Sequence, residues 1–237
     1  MSDVTQNHIS LITNKSSVVG EVAESMPEIE TDRLLLRMFK TDDLDGLSQI
    51  YADADVMRYL SGHALSKEET AGWLNYFLAG WENYGFGWWA VVLKESAELI
   101  GHCGLQFIHV TPEVEVTYGL ARPYWRKGLA SEAARACLRY GFAELKLDRI
   151  YALADPGNIG SHHVMERVGM RYEKTEYYKD DLYEGELIYY AILRDAYQHD
   201  GSPYSLRPVA GDDTRTSFSR AFDDRKREWK NAKAAAE

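Results

Sequence analysis

A chain of 237 residues with 45% hydrophobic content is long enough to bury one substantial core, so a single principal domain with short appendages is expected. Its formal net charge of −10 argues against nucleic-acid binding, which needs broad basic surfaces, and no run of eighteen apolar residues is present to span a membrane. Only Cys103 and Cys137 are present, so neither a disulfide framework nor a metal site is expected, and without a signal-peptide pattern the expected location is cytoplasmic.

Residues 1–27 are polar, lack periodicity and are expected to form a flexible arm. A first strand is predicted over 34–39. Thr41, Asp42 and Asp43 have the chemistry of a cap and an acidic first turn, leading into a helix with Leu44, Leu47, Ile50 and Tyr51. Ser66 and Glu69 have capping-box spacing and open a second helix running to about residue 82, whose Trp73, Phe77 and Trp81 are expected to pack on a sheet. Tyr59 and His63 are candidates for lining a ligand pocket. Gly85 and Gly87 break the helix, and a hairpin follows over 88–93 and 99–108. A strand around 114–120, a long helix over 129–145 and a strand over 149–154 come next. Asp155-Pro156-Gly157 is turn chemistry that delivers Asn158 and Ser161 to the head of a further helix, stopped by Gly169. A strand pair over 171–178 and 187–193 completes the pattern. The arrangement predicts an α+β fold, one domain over 28–200 with a mixed central β-sheet flanked by helices.

The segment Trp125-Arg126-Lys127-Gly128-Leu129-Ala130-Ser131 joins a strand to the long helix through a basic, glycine-containing turn. A helix start has unpaired backbone N–H groups and partial positive charge, so an anion docked there satisfies donors that have no partner within the helix. Gly128 lets the backbone approach such a ligand, Arg126 and Lys127 add charge, and Arg122 lies just upstream. The P-loop and G-x-G-x-x-G patterns are both absent. Within an acidic chain this basic cluster must act locally, and the acidic remainder suits a cationic ligand. His162 and His163 point about 100° apart on a helix, which argues against a shared metal or base role.

On W-R-K-G-L-A at 125–130, together with TDRLLLRMF (31–39), VEVTYGL (114–120) and NIGSHHVMERVGM (158–170), the chain resembles the GNAT superfamily of N-acetyltransferases. Within it the branch that includes the ribosomal-protein N-terminal alanine acetyltransferases is the most similar. The four blocks lie in order across roughly residues 30–195; Trp125 departs from the superfamily's Gln/Arg but is familiar in this branch. The resemblance implies acetyl-CoA as acetyl donor, its pyrophosphate held by the turn formed by Arg126, Lys127, Gly128, Leu129, Ala130 and Ser131, with Leu120 and Arg122 beside it. It implies Glu115 as the base, backbone N–H groups near Tyr118 to Leu120 facing the thioester carbonyl, and Asn158 holding the pantetheine or nearby backbone. Ser161, Tyr118 or water would protonate the leaving thiolate, a choice one sequence leaves open. The implied acceptor is a primary amine, a protein or peptide N-terminus or else a small amine; a non-catalytic acyl-CoA-binding partner module is the alternative. Deprotonating an α-amino group at pH 7 costs about 1 kcal/mol against roughly 4 to 5 for a lysine, so a modest base suffices for an N-terminus.

Residues 201–237 change character. Gly201, Pro203 and Pro208 suggest a linker, and the end of the chain reads as a charged helix with Phe218, Phe222 and Trp229 on nearly one face. From position 207 it holds 8 basic and 6 acidic residues, and it is expected either to dock on the domain or on a second subunit of a homodimer, or to remain a partly ordered tail.

Overall fold

The computed structural model of the protein describes residues 27–109, 111–179, 184–207 and 214–236, with side chains in the last segment described over 217–234. The arm expected over 1–27 therefore falls outside the described residues except for Pro27, whose carbonyl accepts the Trp89 indole N–H at 2.7 Å.

Nine strands form one sheet: β1 (Glu28–Glu30), β2 (Leu34–Met38), β3 (Trp88–Leu93), β4 (Glu98–Phe107), β5 (Val114–Leu120), β6 (Arg149–Ala154), β7 (Arg171–Lys179), β8 (Glu184–Leu193) and β9 (Ser205–Arg207). Their order is β7-β8-β6-β5-β4-β3-β2-β1-β9, and β5 with β6 is the parallel pair among antiparallel neighbours. The expected mixed sheet is borne out. The linker reading of 201–207 is corrected: Ser205–Arg207 pairs with β1, because Leu206 can turn inward there and the edge strand offers unpaired backbone groups.

Helices α1 (Leu44–Tyr51), α2 (Ala54–Met57) and α3 (Lys67–Tyr84) cover one face, while α4 (Leu129–Ala143) and α5 (Ile159–Arg167) cover the other. Strand β3 is buried on both faces and so reads as a continuous apolar run. Trp88 and Ala90 pack with Leu47, Tyr51 and Phe77, whereas Trp89 and Val91 pack with Tyr140 and Cys137.

Helix ends follow local chemistry. The Ser66 hydroxyl accepts from Glu69 N and the Glu69 carboxylate accepts from Ser66 N, a complete capping box, and Gly85 closes α3 at φ 68°. The cap expected at Thr41 is taken over instead by the Asp43 carboxylate, which accepts from Lys40 N at 2.7 Å while pairing with Arg37; Thr41–Asp43 is a 3-10 turn ahead of α1. A last helix, α6 (Thr214–Ala236), packs against α3. Its Phe218 is 4% exposed, its ring 5.2 Å from that of Phe86, so this helix docks on the domain of its own chain.

Candidate active site

Strands β5 and β6 meet at one parallel pair, Glu115 with Tyr151, and their ladder goes no further. Past Glu115 the two strands splay, leaving the β6-facing backbone of the following residues without a strand partner. A cavity of about 340 Å³ opens there, lined by Glu115, Thr117 and Tyr118 of β5, Asn158 and Ser161 of α5, and Tyr59, Trp73 and Tyr76 from the other face.

Within it the Tyr118 hydroxyl donates to the Ser161 carbonyl at 3.1 Å and lies 2.9 Å from Ser161 Oγ. Burial raises the Tyr118 pKa well above the ordinary phenol range, with the Ser161 hydrogen bond acting in the opposite direction. At neutral pH this phenol therefore carries its proton. Asn158 caps α5, its Oδ1 accepting from Ser161 N at 3.2 Å, which fixes Ser161 over the β5–β6 gap. Glu115 Oε1 accepts from Gln106 Nε2 at 2.8 Å, and Gln106 Oε1 accepts from the Tyr76 hydroxyl at 3.3 Å. The carboxylate is thus oriented by a side chain directly across the ladder, Gln106 opposite Glu115.

The basic turn leads into α4 as its sequence suggests. Gly128 is the N-cap in the left-handed region at φ 77°, and no side chain caps the helix. A Cβ built on Gly128 would meet nothing nearer than Arg33 Nη2 at 3.6 Å. The first-turn amides beside Leu129, Ala130 and Ser131 are therefore open to an anion, which is what a pyrophosphate requires. The turn is held in place from β1–β2. Glu132 accepts from Thr31 Oγ1 at 2.7 Å and from Arg33 N and Nε at 2.9 and 2.8 Å, while Arg33 Nη1 donates to the Lys127 carbonyl at 3.0 Å. Burial works to raise the Glu132 pKa, and the hydrogen bonds from Thr31 and Arg33 outweigh it, holding the carboxyl below its ordinary range.

The candidate residues are not all equally placed. Arg126 and Lys127 are exposed at the turn, and the Lys127 ammonium lies over the Tyr124 ring. Leu120 and Leu129 are buried beside it, and the Leu120 carbonyl accepts from the Trp125 indole at 2.6 Å, which accounts for the aromatic residue there. Arg122 instead turns to α2, pairing with Asp53 and Asp55 at 3.0 Å each. Ser131 is 3% exposed and faces inward against the helix's own support. Tyr59 does line the cavity, donating to the Gly157 carbonyl at 3.0 Å. His63 does not: it lies outside the lining, 3.6 Å from Glu69, because the capping box draws it to the head of α3. His162 donates to the Asp155 carbonyl at 3.0 Å and His163 is exposed, so neither faces the cavity.

Among the lining residues without an earlier expectation are Gln106, Tyr76 and Arg225. Gln106 was the polar residue in an otherwise apolar stretch of β4, Tyr76 lies three positions from Trp73 on α3, and Arg225 lies three from Phe222 on α6. Each had a visible signal, a polar interruption or a helical spacing.

A mixed sheet that splays beside an uncapped, basic helix start is the frame of an acyltransferase site, and comparison with known proteins agrees. The acetyltransferase (GNAT) domain family matches residues 33–171. The chain belongs to the GNAT family and is an N-acetyltransferase. The Bacillus subtilis protein YkkB, itself uncharacterized, is 40% identical over 153 residues, covering 62% of this chain and 87% of its own length. YdaF of Bacillus subtilis, provisionally named a ribosomal N-acetyltransferase, is 33% identical over 100 residues, 39% of this chain and 54% of its own. A GNAT acetyltransferase structure from Bacillus anthracis superposes with a TM-score of 0.61 at 33% identity, covering 71% of this chain and 99% of that one. Among the described residues no helix is long and apolar enough to cross a membrane.

Proposed function

We propose that this protein transfers acetyl groups in the cytoplasm from acetyl-CoA to a primary amine, an α-amine in preference to a lysine, with Glu115, Tyr118, Asn158 and Ser161 as the working residues. The observation that carries the reading is the convergence of these four side chains on one cavity at the β5–β6 splay, next to the open amides of α4.

When bound, acetyl-CoA supplies an activated acetyl thioester. Arg126, Lys127 and the amides of Leu129, Ala130 and Ser131 would hold its pyrophosphate. Asn158, already committed to capping α5, positions Ser161 and the adjoining backbone. Glu115, held by Gln106, accepts, directly or through a water, the proton that the substrate ammonium must lose to become the attacking amine. Backbone N–H groups of the splayed β5 stabilise negative charge developing on a carbonyl oxygen without having to reorganise. The hydroxyl of Tyr118, protonated at neutral pH, gives a proton to the leaving sulfur, and Ser161 Oγ at 2.9 Å can return one to it.

Acetyl-CoA is expected to raise the melting temperature while NAD does not, and thiol release should be seen with N-terminal peptides, amino acids or polyamines. Absence of any cofactor-induced stabilisation at saturation would contradict the whole reading.

A further inference from the structure

The cavity has a second charged end that acetyl transfer alone does not require. Helix α6 lies beyond the family-matched residues 33–171, yet it contributes Arg225 to the lining. The Arg225 guanidinium carbon sits 5.2 Å from the Phe107 ring centroid and 6.0 Å from that of Tyr84. Phe218 and Phe222, seven and three positions earlier, stack at 5.4 Å and anchor the helix against Phe86 and Phe107, so this arginine is fixed in place. It is half-buried, and no carboxylate among the described residues pairs with it. A guanidinium lying on aromatic faces keeps its planar N–H edge free for a bidentate anion.

From Arg225 a continuous path of lining residues leads to the base. Tyr84, Gly80 and Tyr76 occupy one face of α3 at four-residue spacing, and Tyr76 reaches Glu115 through Gln106. Burial, mainly, pushes the Tyr76 phenol up to about 12; Glu115 adds to the shift and Arg225 opposes it, so both charges act on this one hydroxyl. Tyr76 to Tyr84 is eight residues of helix, about 12 Å at 1.5 Å per residue, which sets the scale of the separation between the cavity's two ends.

We propose that the acceptor is a dipolar molecule, a primary amine carrying a carboxylate several bonds away, with its amine at Glu115 and its carboxylate on Arg225. The inference rests on the acetyltransferase reading above and names the substrate class of that same site. A peptide with an acidic side chain near its N-terminus offers this chemistry on the favoured α-amine, and an ω-amino acid offers it on a lysine-type amine at the higher deprotonation cost of such a group.

The test is thiol release by the full chain with matched probes: 6-aminohexanoate against 6-aminohexanamide, 1,6-diaminohexane as the cationic counterpart, and a Ser-Glu-initiated peptide against its Ser-Gln equivalent. In at least one pair the acid should exceed its amide in kcat/KM by about tenfold to a hundredfold, the size of a charge-assisted hydrogen bond. The pair that discriminates identifies the source. Arg225→Gln should bring the acid-to-amide ratio towards one, Arg225→Lys should retain part of it, and Arg225→Glu should shift preference to 1,6-diaminohexane. Acetyl-CoA melting shifts in each variant establish that the fold persists, and if a variant unfolds the wild-type ratio decides alone. Acetyl transfer with no acid preference in either pair overturns this inference and leaves acetyl transfer standing, as does an unchanged preference in Arg225→Gln. No melting shift and no transfer to any probe overturns both.

Discussion

Tyr118 and Ser161 share one short contact, 2.9 Å between hydroxyls, yet their surroundings differ. Tyr118 is held protonated by burial, whereas Ser161 is fixed by the backbone of α5. Tyr118→Phe should therefore lower kcat by about 10²-fold and leave the acetyl-CoA melting shift intact, while Ser161→Ala should cost less, because water can replace a hydroxyl that only returns protons. Equal losses in the two variants, measured by thiol release, would contradict the assignment, and a larger loss in Ser161→Ala would reverse it. His102 poses the opposite case, a buried ionisable group outside the chemistry. Its Nδ1 lies 2.7 Å from the Tyr51 hydroxyl, its ring stacks on Trp88, and its Nε2 has no partner among the described residues. Burial lowers its pKa to about 3, so the unfolded chain binds the extra proton between that value and the ordinary histidine range of about 6.5. Stability should rise with pH across that window and fall as the medium is acidified through it. Thermal melts should show this acid limb flattened in His102→Leu, which at pH 7 loses the Tyr51 hydrogen bond at about 1 to 3 kcal/mol.

At the scale of elements, the α4 start combines geometry and binding in one glycine. Gly128→Ala places a Cβ at φ 77°, a strain of about 1 to 2 kcal/mol, and should raise the KM for acetyl-CoA more than it lowers kcat; the reverse split in steady-state kinetics would mean the turn does not hold the cofactor. Most elements were legible because their signals are local. Ser66 with Glu69, Asp155 to Asn158, and Gly169 each carry cap or turn chemistry at the boundary itself, and β6 matches its expected span, Arg149–Ala154. The three-residue strands β1 and β9 were not, since alternation over three positions has too little period to read and their pairing brings together residues far apart in sequence. The site divides in the same way. Glu115, Tyr118, Asn158 and Ser161 sit within recognisable blocks, whereas Gln106, Tyr76 and Arg225 reach the cavity only through tertiary packing. Arg122 shows the limit of reading charge from proximity, for Asp53 and Asp55 sit in a different part of the chain and claim it.

At the scale of the whole molecule, α6 and β9 bind the end of the chain to the domain, the first through α3 and the second through β1. Phe218 inserts beside Phe86, and Ser205–Arg207 extends the sheet on β1. Phe218→Ala should destabilise by about 3 kcal/mol, read as a lower denaturant midpoint; an unchanged midpoint would mean the helix does not stay docked in solution. In the proposed function the acidic body and the basic turn have separate tasks, the first tolerating an amine and the second holding an anion, on a sheet whose β5 and β6 meet at a single parallel pair. That opening is useful only if Glu115 takes a proton. The most direct test is Glu115→Gln, assayed for acetyl transfer and for acetyl-CoA melting shift side by side. The account predicts transfer reduced by about 10²-fold or more with the melting shift preserved; transfer at the wild-type rate with the shift preserved would contradict it.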